Sequence, residues 1–226
     1  MRDVPSLRPH ARAGADLLQV LWCPFDHPPE GIMPQTALFW RSAASVTEVL
    51  TTPPETAVVE WEEYVPEPCL LSLEQVTEYP DSMELGEELP ESFYRNGLSV
   101  APGWKAGGWA SWGYTAPVPR FCPACDTRME PLLTVATFEW DGSDRSWVPG
   151  GVRAAASASA SGRDHLRQPT GVQIGGGHRQ QIYVCPAEPE HPHTELVQLP
   201  AAGQSVPSMM RKSRSTPSER AANAFW

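Results

Sequence analysis

Short apolar bursts broken by proline or glycine run along this chain, and they predict strands more often than helices. Residues 17–23, Leu-Leu-Gln-Val-Leu-Trp-Cys, are apolar and stopped by Pro24, the pattern of a buried strand. Residues 36–41 give a second strand, and residues 57–64 alternate as a half-exposed third. A helical turn fits residues 45–50. Ser72, with Gln75 three positions later, has the spacing of a capping box, so a short helix carrying Leu73 and Val76 is expected there. A second, acidic helix is expected over 82–89, stopped by Pro90. Residues 101–117 hold neither period and read as an ordered Gly/Trp loop. Phe121-Cys122-Pro123-Ala124-Cys125 is a tight knuckle, followed by a strand from Met129 to Trp140. Asp141-Gly142 is a hairpin turn, with a returning strand over 145–148. Gly171–Ile174 and Gln180–Cys185 form two more strands, joined by Gly175-Gly176-Gly177-His178.

One phrase recurs. Val20-Leu21-Trp22-Cys23-Pro24 ends an apolar run and His27-Pro28 follows; Ile182-Tyr183-Val184-Cys185-Pro186 does the same before His191-Pro192. Cys122-Pro123 is a third copy of the Cys-Pro element. The expected fold is therefore α+β and strand-rich, with internally duplicated antiparallel sheets and few short helices.

Composition supports that picture. The chain has 226 residues, of which 41% are hydrophobic, enough for a core, and its 25 prolines exclude long helices. The expected organisation is a disordered N-terminus over 1–15, one folded domain over 16–199 and a disordered basic tail over 200–226. An Ala/Ser-rich linker insertion interrupts the domain at 150–170.

Charge adds a surface. The net charge is −10, which disfavours nucleic acid as a partner. No Lys or Arg occurs from Ser42 to Tyr94, a stretch holding 13 of the 27 acidic residues. Residues 48–91 thus read as a solvated face or as a docking surface for a basic protein partner. Neither a signal-type apolar region nor a membrane-spanning run is evident, so a cytoplasmic location is expected, where cysteines serve as thiols or metal ligands. Five cysteines also leave one outside any closed disulfide framework.

The sharpest chemical signal is Cys122-x-x-Cys125, which on a turn chelates one zinc ion. A structural site needs four ligands. Cys23 and Cys185, each in a Cys-Pro context, are the first candidates for the rest, with His27 and His191 as alternatives. Unmetallated, the same residues would be small buried hydrophobes and a free dithiol. Redox catalysis is disfavoured because no helix follows the pair. Cys69 reads as a packing residue. Gly107, Gly108, Trp109 and Trp112 either line a ligand groove or plug the core beneath the loop. Gly175-Gly176-Gly177 lacks the Lys-Ser/Thr of a phosphate loop.

The central segment resembles a known pattern. Gly107-Gly108-Trp109, Trp112, Pro119, Cys122-Pro-Ala-Cys125, Met129 and Leu132-Leu133-x-Val135 are similar to the YwqG-like family of bacterial proteins of unknown function, as is the Ile182-Tyr183-Val184-Cys185 strand. The likeness spans about residues 100–190. It departs at Thr134 or Val135, where the family carries Gln, and at the Ala/Ser linker. It implies a strand-rich α+β fold with internal duplication, and no reaction. The expected function is non-enzymatic binding or interaction, with a structural zinc; the alternative is an enzyme with a Trp-lined groove and a Cys or His active-site group.

Overall fold

The computed structural model of the chain describes residues 4–27, 33–52, 59–85, 100–112, 115–140, 147–153 and 166–198. Among the described residues six strands form: β1 Leu17–Cys23, β2 Gln35–Arg41, β3 Lys105–Ala106, β4 Glu130–Ala136, β5 Arg179–Val184 and β6 Thr194–Gln198. β1 and β2 make a two-stranded antiparallel sheet, and β3-β4-β5-β6 a four-stranded antiparallel one.

Period-two alternation explains how the sheets meet. In register, Leu18 opposes Trp40 and Val20 opposes Leu38, so one face of the small sheet is apolar. Leu18, Leu38 and Trp40 pack on Leu132 and Val184 of the large sheet, together with Leu7. Further along, Trp22 packs with Val135, Val172 and Ile174, and its indole Nε1 donates to Gln180 Oε1 at 2.8 Å. β5 is central and buried on both faces. Its second face, through Tyr183, packs with Cys122, Trp112 and Met129, and Cys185 just beyond the strand joins them. That cluster belongs to the Gly/Trp loop and the cysteine knuckle, so the strand-rich core presses the knuckle against the end of β5.

The structure is essentially all-β, which corrects the expected α+β class. The longest α-helical element among the described residues is the four-residue turn Ser82–Leu85; the others are isolated 3-10 turns. The helix expected from Ser72 does not form. Residues 65–81 run without regular structure, because Glu67 N–H donates to the Thr170 carbonyl at 2.7 Å and the carboxylates of Glu74 and Glu78 hold backbone N–H groups of Gly150 and Ala101. Anchors spaced along an extended run are incompatible with a helical rise of about 1.5 Å per residue. The strand expected over 57–64 is, in its described part, a 3-10 turn at Glu62–Tyr64. Gly171–Ile174 also lies outside the strands: Gly171 takes φ +66°, and Ile174 N–H bonds the Thr137 hydroxyl rather than a neighbouring strand. The two sheets differ in strand number, so they are not duplicated halves.

The expected disordered N-terminus differs as well. Pro5–His10 forms a 3-10 helix with Pro at its start, and Leu7 and His10 are buried. Ser82–Leu85 is the described start of the helix expected over 82–89; its remainder, the Asp141-Gly142 turn, most of the 150–170 linker and the tail from 200 lie outside the described residues. No helix among the described residues is long and apolar enough to cross a membrane.

Candidate metal centre

The knuckle is closed by its own backbone. Phe121 bridges Arg128, Cys122 N–H donates to the Thr127 carbonyl at 2.8 Å, and Asp126 N–H returns to the Cys122 carbonyl at 2.8 Å. Asp126 takes φ +58°, the left-handed conformation that short polar side chains tolerate. This turn sets Cys122 and Cys125 on one side. From the other direction, β5 delivers Cys185 immediately after its last residue, and a turn in which His191 N–H donates to the Glu188 carbonyl brings the imidazole back.

The result is a cluster of four. The Sγ atoms of Cys122, Cys125 and Cys185 and a ring nitrogen of His191 all lie within 4.8 Å of one another. Cys125 Sγ is 3.6 Å from Cys185 Sγ, and Cys122 Sγ is 3.5 Å from His191 Nδ1. These are opposite edges of a four-ligand arrangement. With metal–sulfur bonds of about 2.3 Å and metal–nitrogen bonds of about 2.0–2.1 Å, a tetrahedral site has sulfur–sulfur edges of about 3.8 Å and sulfur–nitrogen edges of about 3.6 Å, so both spacings fit a metal ion at the centre. None of the cysteines is in a disulfide.

The thiols are not equivalent. The Thr127 hydroxyl, 3.2 Å from Cys125 Sγ, and the Thr127 backbone favour the thiolate, holding exposed Cys125 down to about 6. Burial pushes the Cys185 thiol up. Thr127 was not a sequence candidate; its signal is the Cys125-x-Thr127 spacing, which places a hydroxyl beside the second sulfur.

Sequence placed two further ligands here that the structure does not. Cys23 ends β1, in the other sheet, and is outside the cluster, as is His27. His191 takes the fourth position, because the turn after Cys185 doubles back whereas β1 leads away into its own hairpin with β2. Cys69, read as a packing residue, is exposed.

Beside the cluster lies a cleft of about 790 Å³. Gly107, Gly108, Trp109 and Trp112 all line it, as do Met129 and Tyr183, which pack with Cys122 and Cys185 on their other side. The volume falls within the roughly 300–1,000 Å³ of small-ligand sites. Trp109 is 43% exposed on the rim, whereas Trp112 is buried. Glu84 also lines the cleft; burial raises its carboxyl above the ordinary range, and the Trp112 indole faces it. The Arg120 guanidinium lies 5.5 Å from the centre of the Tyr183 ring, and its Nε donates to Thr194 Oγ1 at 3.0 Å, tying the cleft wall to β6.

A second polar group joins the sheets. Glu195 accepts from Thr36 N–H at 2.6 Å, from the Thr36 hydroxyl, and through Oε2 from Gln180 Nε2 at 2.8 Å. His193 Nε2 is 3.1 Å from Thr36 Oγ1 and 3.5 Å from Glu195 Oε1. Thr, His and Glu therefore share one ring nitrogen. A nucleophile–base–acid relay uses the two ring nitrogens for different partners, so this is a stitch between sheets. Comparison of the chain with protein-family models, with curated proteins and with solved structures returned no match.

Proposed function

We propose that this is a non-catalytic binding protein whose knuckle is stapled to the end of β5 by a structural zinc ion. The observation that carries the reading is the four-ligand cluster of Cys122, Cys125, Cys185 and His191. Three thiolates and one imidazole suit zinc, and four protein ligands leave no open position for a substrate, as in structural sites. The staple would hold Met129 and Tyr183, which form part of the cleft wall, so metal and groove belong to one construction. The likeness to the YwqG-like family belongs to this proposal and adds no reaction. The acidic stretch around residues 48–91 would supply a second surface, facing a basic partner.

The rival reading expects a Cys or His active-site group in the Trp-lined groove. No cysteine lines the cleft among the described residues. His10 lines it, but its ring is buried and its Nδ1 is closed off from solvent without a partner. Its Nε2 lies 3.8 Å from the Glu130 carboxylate, which also lines the cleft.

Elemental analysis of protein purified without added metal tests the staple. One zinc per chain, with no visible absorption from an iron–sulfur cluster, is expected. Metal-free protein in which these thiols titrate freely in the native state overturns it.

A further inference from the structure

Residues 65–81 form an extended strap with an inverted surface. Its acidic anchors point to the body: Glu78 holds Ala101 N–H and Lys105, and Glu74 holds Gly150 N–H. Its apolar side chains point out: Leu70 is fully exposed, and Leu71, Leu73 and Val76 are about half-exposed. Trp61, Val49 and Leu50 add exposed apolar area on the same acidic stretch. Four exposed apolar side chains within seven residues of one extended run are the kind of group that marks an interaction surface, and the absence of any Lys or Arg between Ser42 and Tyr94 sets the sign of what covers them.

We propose that the strap is covered by the chain's own basic segment around Met209-Met210-Arg211-Lys212-Ser213-Arg214. This segment pairs two flexible apolar side chains with three cations, the complement of leucines set among glutamates. It also starts in the right place. Val197, at the end of β6, packs with the cluster holding Val172, and two residues before Val172 the Thr170 carbonyl receives the strap's Glu67 N–H. Met209 lies eleven positions beyond Gln198, a reach of about 36 Å at most. Tethering gives an effective concentration on the order of millimolar, so weak contacts suffice. The segment then competes with any basic partner for the strap. The inference rests on reading the acidic stretch as a basic-partner surface and is independent of the metal.

The test uses the full chain. It has two lysines, Lys105 and Lys212, and Lys105 is buried against Glu78. Zero-length carbodiimide coupling, which joins a carboxylate to an amine with loss of water, is read at Lys212 by peptide mapping. At low ionic strength Lys212 is expected to couple within the monomer to Glu60, Glu62 and Glu67, severalfold more than to exposed Glu130, Glu188 and Glu190. The preference should fall in high salt and in the Leu70→Ser, Leu71→Ser, Leu73→Ser variant. Coupling spread evenly over all exposed acids overturns the proposal, and so does coupling found only in dimers, which assigns the surface to a second copy's tail. A third overturning result separates it from the broader reading. If octa-arginine slows hydrogen exchange in the strap of a variant carrying Arg211→Glu, Lys212→Glu and Arg214→Glu, while the wild type shows no Lys212–strap coupling, a separate basic partner stands in the tail's place.

Discussion

Lys105 and Glu78 form a buried ion pair that clamps the strap to the Gly/Trp loop: Nζ lies 2.9 Å from Oε2, 3.1 Å from Oε1 and 2.6 Å from the Trp109 carbonyl. Both side chains are about nine-tenths buried, and burial pushes Lys105 below its ordinary value while Glu78 pulls it back. Glu78 also accepts the N–H groups of Ala101 and Trp109. Gly108, at φ +78°, leaves the space this carboxylate fills. Removing one partner of such a pair strands a buried charge at a cost of about 3–5 kcal/mol. Glu78→Ala is accordingly expected to lower unfolding free energy by that amount, measured by urea titration. Glu78→Leu with Lys105→Met should recover part of it, since no charge is left unpaired.

Metal content separates the cysteines. Cys23→Ser is expected to retain full metal stoichiometry, because Cys23 is outside the cluster. Cys185→Ser and His191→Ala should lower affinity by more than the roughly 10–100-fold that outer-shell substitutions cost. Competition with a chromogenic chelator checks this. Equal loss in all three variants would place Cys23 in the site.

The inter-sheet stitch carries a graded prediction. Trp22→Phe removes one donor to Gln180 and should cost about 1 kcal/mol. Glu195→Ala strands Thr36 N–H and deprives Gln180 of an acceptor, each worth about 1–3 kcal/mol when buried. A larger loss for Glu195→Ala than for Trp22→Phe, in the same denaturant series, is the expected order.

Glu139 gives a pH dependence. Burial raises its carboxyl above the ordinary range, with only Trp104 N–H opposing. The folded state therefore binds this proton more readily than the unfolded chain does. Its contribution to stability is full below the ordinary glutamate range and is lost as pH rises through the raised folded value. Glu139→Gln removes the titration. Relative to the variant, the wild type should lose stability as pH climbs from about 4 towards 7, read from unfolding midpoints across a buffer series.

Much of the sheet framework was legible. β1, β2, β4 and β5 follow from short apolar runs bounded by Pro or Gly, and the knuckle from its Cys-x-x-Cys spacing. β6 was missed: Thr194–Gln198 is half-buried, follows Pro and His residues, and carries a glutamate that looks like a solvent group. That glutamate faces Thr36 and Gln180, contacts that only the meeting of two sheets creates. The strap was misread for a similar reason. Ser72 and Gln75 have capping spacing, but the glutamates nearby bond distant backbone N–H groups, and backbone acceptors and donors leave no mark in a sequence. Cys122 and Cys125 follow from their Cys-x-x-Cys spacing and Cys185 from the Cys-Pro junction that ends its strand, with His191 among the alternatives. Cys23 carries the same tag on the wrong sheet, and the choice between it and His191 depended on which turn doubles back.

The spacing of the cluster along the chain bears on how the protein folds. Cys122 and Cys125 are near neighbours, whereas Cys185 lies 60 residues beyond Cys125 and His191 lies 69 beyond Cys122. The first half-site needs no loop closure; the second exists only once β4 and β5 have paired. An ion held first by the knuckle would be completed by that pairing and would then lock a contact of high sequence separation. The β1–β2 hairpin is local and carries no such dependence. Metal depletion should therefore slow the docking of β5 while leaving the N-terminal hairpin's rate unchanged, so that the two sheets form on separate clocks.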